Sequence, residues 1–264
     1  MSLTLTPLLN IPLIRHGDDL ADLILTSLRD TGIPLQDNDI FVVAQKIVSK
    51  AEGRTVNLAT VTPSERAIEL AKQTEKDPRV VELMLQESNE VLRTRIGTII
   101  VEHRLGFVCA NAGIDHSNVS SPLPPGEGPG VRGDSEEWVL LLPTEPDRSS
   151  EKMRAELESR TGKKVGILII DSHGRAWRNG TVGVAIGMSG VPGLVDLRGE
   201  KDLFDYTLRV TQVGAADELA AAASLVMGQA AEGTPVVHVR GFPYQLRESS
   251  IKELLRPKEQ DLFR

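Results

Sequence analysis

Two carboxylates give the first indication of chemistry. Asp171 follows the apolar run 165–170, and Asp115 follows the run 106–110 through Ala112 and Gly113. A carboxylate at a strand end is held by rigid backbone yet faces the open edge of a sheet. There a hard cation such as Mg²⁺ or Mn²⁺ is bound by one or two carboxylates together with phosphate oxygens. Ser172 offers a hydroxyl oxygen beside one aspartate, and Asn118 follows closely behind the other. Either aspartate alone also reads as a turn or N-cap residue. Taken together they point to a metal–phosphate site.

Lys46 and Lys50 flank the end of another apolar run, 39–44, where they could neutralise polyphosphate charge or simply lie in a solvated turn. Residues 228–233, Gly-Gln-Ala-Ala-Glu-Gly, fall between a helical pattern and a strand. Backbone amides in such a loop can cradle phosphates, and an ordinary helix-to-strand turn would look the same. No G-x-x-x-x-G-K-[ST] occurs and no G-x-G-x-x-G follows a strand, so this is not a Walker-type P-loop. The histidines at 16, 103, 116, 173 and 238 lack zinc spacing. His116 and His173 adjoin the two aspartates and read as supports or exposed neighbours. Cys109, the single cysteine, excludes an intrachain disulfide and reads as a small core residue.

These residues need a scaffold, and the patterning supplies one. Residues 3–13 suggest a short strand and a turn, and 18–31 a helix closed by Gly32. Strand 39–44 runs into a polar stretch. Thr62, Pro63 and Glu65 form a capping-box pattern with Pro at the first helical position, predicting helix to about Thr74. Helix is also expected over 78–88, 149–161 and 201–226. Strands are expected over 98–101, 106–110, 138–142, 165–170 and 235–239, with strand and loops over 180–199. Residue 120 opens a Pro/Gly-rich surface loop, 120–137, read as a tolerated insertion or as a lid. The alternation predicts an α/β (or α+β) fold: one domain over 1–246 and a charged, helical tail over 247–264.

Bulk properties narrow the function. Acidic residues outnumber basic ones, 37 to 30, a net charge of -7 that disfavours a general nucleic-acid binder. No apolar run approaches a membrane span and the first residues lack a signal-peptide pattern, so a cytoplasmic, membrane-free protein is expected. Aromatic residues are only 3%, so the core must be built from Val, Ile, Leu and Ala.

The same residues resemble one family, the coenzyme F420 gamma-glutamyl ligases. Five stretches carry the likeness in order: 43–53 (Val-Ala-Gln-Lys-Ile-Val-Ser-Lys-Ala-Glu-Gly), 106–115 with Ser117 and Asn118, then Leu142-Pro143 with Pro146-Asp147. The fourth is Asp171-Ser172-His173-Gly174-Arg175 continuing through Trp177-Arg178 to Gly187, and the last runs from Asp217-Glu218 through 226–228 to 236–241. The resemblance implies a fold peculiar to the family and a homodimer. It also implies an enzyme that uses GTP to join L-glutamate to the phospholactyl carboxylate of the F420 precursor through an acyl phosphate, then adds a second, gamma-linked glutamate.

By that resemblance Asp115 and Asp171 ligate one metal ion, with Ser172 and Gln229 at a second, Mg²⁺ or Mn²⁺ being expected and K⁺ a further candidate ion. Nucleotide contacts fall on Ile11, Pro12, Leu13, Ile14, Gln45, Lys46, Lys50, Asn118, Met227, Gly228, Gln229 and Gly233. Asp115, Asp171 and Lys50 are the catalytic set, Lys50 acting as a point charge. Gln229 departs from the pattern, because a carboxylate often holds that place; Glu232 is the substitute to consider. Leu105 stands where many relatives have histidine. Two rival functions fit: a ligase of the same fold acting on another carboxylate, and a nucleotide-binding regulator that has lost catalysis.

Overall fold

The computed structural model describes residues 2–117, 119 and 137–262. Asn118 and residues 120–136, most of the Pro/Gly-rich stretch, lie outside the described residues. The mixed α/β class expected from the sequence is found.

The centre is a five-stranded sheet in the order β1 (Thr4–Pro7), β12 (Val236–Arg240), β2 (Asp39–Ala44), β8 (Val165–Arg175), β9 (Arg178–Ser189). β2 and β8 are parallel, and the other neighbours are antiparallel. β2 and the first half of β8 are nearly continuous apolar runs, which suits strands covered on both faces. One face packs Phe41, Val43, Ile167 and Ile169 against α1 (Leu20–Asp30) and α5 (Pro146–Thr161). The opposite face packs Ile40, Val42, Leu168 and Ile170 against α6 (Ala215–Met227). Asp19 caps α1, accepting from the Asp22 amide at 3.0 Å, and Gly162 closes α5 in the left-handed region.

The helix α6 meets the sheet through small residues. A Cβ on Gly183 would lie 2.5 Å from the Ala220 carbonyl oxygen and 2.6 Å from Ser224 Cβ. Ala216, Ala220 and Ala223 are fully buried on this face. At the far end of the sheet Asp39, 1% exposed, accepts from Arg240 at 2.7 and 2.8 Å, and His238 Nε2 lies 3.0 Å away. Burial works against that charge, but Arg240 and His238 outweigh it and hold the Asp39 carboxyl down at about 2.

Between β2 and α5 the chain builds a second body: α2 (Gln45–Ala51), β3 (Thr55–Asn57), α3 (Glu65–Thr74), α4 (Pro78–Gln86), β4 (Ser88–Arg95), β5 (Thr98–His103), β6 (Val108–Ala110) and β7 (Trp138–Leu140). β4, β5 and β6 form one sheet and β3 pairs with β7. Ile99, Val101, Cys109 and Leu141 share its core with Val81 and Met84 of α4. Two-residue strands β10 (Val195–Asp196) and β11 (Gln212–Val213) precede α6.

Several expectations are corrected. The polar stretch after β2 is the helix α2, which places Lys46 and Lys50 one turn apart on a helix. β8 does not stop at Asp171 but continues to Arg175, paired with β9, so Asp171 sits where β2 runs out and a two-stranded arm begins. The helix expected over 201–226 is confined to Ala215–Met227. Asp202 Oδ1 instead accepts from the Phe204 and Tyr206 amides at 2.8 and 2.9 Å, turn chemistry that competes with helix. Ser64, not Thr62, caps α3, since Pro63 precedes the helix. The last residues form 3₁₀ turns rather than a helix, and they pack back on the body: the Asp147 carboxylate accepts from both the Met188 and Ile251 amides. β4 was not anticipated, because its polar, largely exposed residues lack an apolar face.

Candidate active site

Four of the segments singled out by the sequence emerge on one edge of the five-stranded sheet. β1 ends at Pro7, and the Leu8 amide bonds to Val236 at the start of β12, so Ile11, Pro12, Leu13 and Ile14 follow at that edge. The loop containing Gly228, Gln229, Glu232 and Gly233 leads into β12 at the same edge, where the Ala44 amide bonds to the Pro235 carbonyl. Ala44 pairs with Ile170, so Gln45 begins α2 beside Asp171. Strand direction alone gathers these pieces, as is general for ligand sites at the carboxyl ends of parallel strands.

Asp115 reaches this edge through Lys46. Lys46 Nζ lies 2.6 Å from Asp115 Oδ2, and Asp115 Oδ1 accepts from the Ser117 amide at 2.6 Å. Burial raises the Asp115 carboxyl, but Lys46 and Ser117 outweigh it and leave it below its ordinary value. Burial, reinforced by the charge of Lys46, pulls the Lys50 ammonium below its usual range, while Asp115 offsets part of that. Thus Lys46, Lys50 and Asp115 form one electrostatic group. Asp171 is bound to its neighbour in the arm, His173 Nε2 lying 3.0 Å from Asp171 Oδ2.

Across the arm, Ser172 Oγ donates to Gln229 Oε1 at 2.8 Å, and Gln229 Nε2 donates to Ser224 Oγ at 2.9 Å. Glu232 instead folds onto its own loop, accepting from the Ala230 amide at 2.8 Å. Gln229 is therefore the residue brought to Ser172. Gly228 and Gly233 both take positive φ, +75° and +70°, which lets the loop turn tightly between α6 and β12. Among the other candidates, Met227 is buried and Leu13 is exposed, while the Gln45 side chain points inward and accepts from Ser49 Oγ at 2.9 Å.

The oxygen donors are of the types that suit a hard cation: Asp115 and Asp171 offer carboxylates, Ser172 a hydroxyl and Gln229 an amide carbonyl. Among the described residues no three His, Cys, Asp or Glu side chains converge into a ready cage, so phosphate oxygens would have to complete the coordination of a metal. Cys109 is buried in β6, and burial together with the charge of Asp171 pushes its thiol up to about 12. That fits a small core residue, and it places β6 beside β8.

Sequence patterning gave no hint of the aromatic wedge behind Asp171. His173 packs against Phe107 at 5.4 Å between ring centres, and Phe107 stacks on buried His103 at 5.2 Å. Below lies Glu87, ion-paired with Arg54 and Arg104 at 2.9 and 3.1 Å. A cavity of about 210 Å³ adjoins the wedge, lined by His173, Asp217, Val184 and the C-terminal Leu254 and Leu255. Only the fold could reveal it, because its walls come from distant parts of the chain. A larger cleft of about 470 Å³, lined in part by Asp18, Glu52, Arg148 and Lys152, contains none of the candidate catalytic, nucleotide or metal-binding residues, although Val48, Ala51 and Glu52 of the stretch 43–53 border it.

Comparison with known proteins shows the family. Residues 8–241 match the sequence profile of the family described as F420-0:Gamma-glutamyl ligase. The chain is 46% identical over 266 residues, spanning the whole of both chains, to the Coenzyme F420:L-glutamate ligase of Methanothermobacter thermautotrophicus. It is 47% identical over 258 residues to the enzyme of the same name from Methanococcus maripaludis, covering 97% of this chain and 95% of that one. It is also 42% identical over 264 residues to that of Archaeoglobus fulgidus, covering 100% and 97%. On a match that takes in every segment of the sheet edge, the chain belongs to the F420-0:gamma-glutamyl ligase family.

Proposed function

We propose that this protein is a GTP-dependent ligase that joins L-glutamate to the phospholactyl carboxylate of the F420 precursor and then adds a second glutamate in gamma linkage. The observation that carries the reading is the full-length kinship to Coenzyme F420:L-glutamate ligases. The gathering of oxygen donors and lysines on one sheet edge is what such chemistry needs.

A carboxylate is a poor electrophile, so it first takes the γ-phosphoryl group of GTP, releasing GDP and leaving an acyl phosphate. The glutamate amine then attacks the acyl carbon, the C–N bond forms, and phosphate leaves with the C–O electron pair. Of the two protons lost by the ammonium, one ends on phosphate and the other in solvent. Asp115 and Asp171, with Ser172 and Gln229, would hold Mg²⁺ or Mn²⁺, which supplies charge neutralisation at the phosphates. Lys50 and Lys46 add fixed positive charge at the same edge, worth most where water is excluded. Ile11, Pro12, Leu13, Ile14 and the loop from Met227 to Gly233 border the space for the nucleotide.

A second copy of the chain is the partner we assign to the exposed apolar residues before α6. Leu203 and Phe204 are 97% and 89% exposed, and Val210 lies on the same segment. A homodimer would cover them.

Incubating the protein with precursor, glutamate, GTP and Mn²⁺ should yield products heavier by one and two glutamyl residues by mass spectrometry. Asp171→Ala should lower turnover by at least about a thousandfold while leaving the melting temperature near wild type. Phosphate release that requires a different carboxylate would favour a ligase of other specificity. Nucleotide binding without phosphate release would favour a regulator.

A further inference from the structure

Beside β9 lies a carboxylate that the metal–nucleotide edge does not use. Asp217 sits in the first turn of α6 and accepts from the Ala185 amide at 2.9 Å, its one hydrogen bond among the described residues. β9 is the outer strand of the sheet, and its register against β8 slips between Ile169 and Ile170, opposite Ala185. That amide is thereby left to Asp217. A cap on an edge amide would need only Oδ1. Here, however, the side chain also lines the cavity of about 210 Å³, among Phe107, Val184, Leu254 and Leu255.

The setting is unusual for a carboxylate. Burial pushes Asp217 up, by more than the Ala185 amide and nearby His173 pull it down. A half-buried acid facing apolar walls is under-compensated, and a ligand bringing N–H donors and positive charge would satisfy it. The walls would take aliphatic carbon. A primary ammonium on an aliphatic stem combines the two. The cavity is also well placed, because His173 lines it and simultaneously touches Asp171 at 3.0 Å. One imidazole separates it from the carboxylate edge.

We propose that this cavity receives the amine of the incoming amino acid, with Asp217 as the carboxylate that holds it. The proposal rests on the ligase reading above and adds to it the residue that recognises the nucleophile. Asp217 is a binding group: it orients the nitrogen toward the activated carbonyl, and the bonds made and broken remain those already written. The C-terminal turn closes the cavity, fixed by the bonds from the Ile251 amide to Asp147.

Asp217→Asn separates recognition from structure, because an amide oxygen can still accept from the Ala185 amide while the charge is lost. The expected result is a KM for glutamate raised about tenfold or more, with KM for GTP and the melting temperature near wild type. Glutarate, which lacks the amine, should inhibit the variant as well as it inhibits the wild type. Leu255→Trp, which fills the cavity and leaves the Asp217 carboxylate in the chain, should raise the same KM. An unchanged KM for glutamate in either variant overturns the proposal, as does an equal loss of glutarate and glutamate binding. Wild-type protein that releases no phosphate in response to glutamate would instead sink the ligase reading itself, and this inference with it.

Discussion

Lys46 Nζ stands 2.6 Å from Asp115 Oδ2, joining the first turn of α2 to the segment that follows β6. The contact ties the second body of the chain to the edge of the central sheet at the point where the nucleotide is proposed to lie. Lys46→Ala removes a point charge from the phosphates and releases Asp115 from the partner that lowers its pKa. Binding of GDP with Mn²⁺, read as a thermal shift, should weaken about tenfold or more. A wild-type shift in the variant would remove Lys46 from the site.

Acid sensitivity should begin above the carboxylate range. Burial pulls His103 down to about 4 from an unfolded value of 6.5, with Arg104 and Arg54 adding to the effect. A histidine held neutral in the fold takes up its proton on unfolding. Its contribution to stability is therefore full above pH 6.5 and lost as pH falls toward 4, on the order of 3 kcal/mol. Urea midpoints measured between pH 7 and 4.5 should fall in the wild type and flatten in His103→Gln. Parallel profiles would contradict this.

The seam between α6 and β9 should not admit even a methyl group. With 2.5 Å between a Cβ on Gly183 and the Ala220 carbonyl oxygen, backbone must move to accommodate alanine. Gly183→Ala is expected to cost about 1–3 kcal/mol. Since α6 carries Asp217 at one end and leads to Gln229 at the other, glutamate and nucleotide affinities should fall together. Calorimetric melting with both KM values checks this.

Cys109 should be inert in the native protein. Its thiol is buried and pushed up to about 12. An aromatic disulfide reagent at pH 8 should label no thiol until denaturant is added, and then one per chain. Rapid native labelling accompanied by loss of activity would mean that β6 opens readily.

The sheet edge that carries the candidate residues is legible in part because the sequence places them on short, orderly elements. Asp171 after an unbroken apolar run, Lys46 and Lys50 after another, and a Gly-bounded loop before the last strand all emerge together, since strand direction converts those positions into one edge. Other features depended on contacts between remote residues. Nothing local distinguishes Gln229 from Glu232; the choice is made by Ser172 and Ser224, which meet the amide across the arm. Asp217 reads as an ordinary acid in a helix's first turn until β9 and the C-terminal turn enclose it. The alanine-rich pattern before residue 226 extends the apparent helix backward, but β11 pairs with β10 up to Val213 and the Asp202 carboxylate builds a turn further back.

The strand order carries a consequence for how the molecule is made. β12 lies between β1 and β2, so a strand translated late separates two translated early. Until residues 236–240 leave the ribosome, β1 has no neighbour to pair with and the flank of β2 stays open. Such non-local pairing is slow and exposes sticky edges. A nascent chain should therefore require chaperone cover until then, and capture its nucleotide only once synthesis has passed that point.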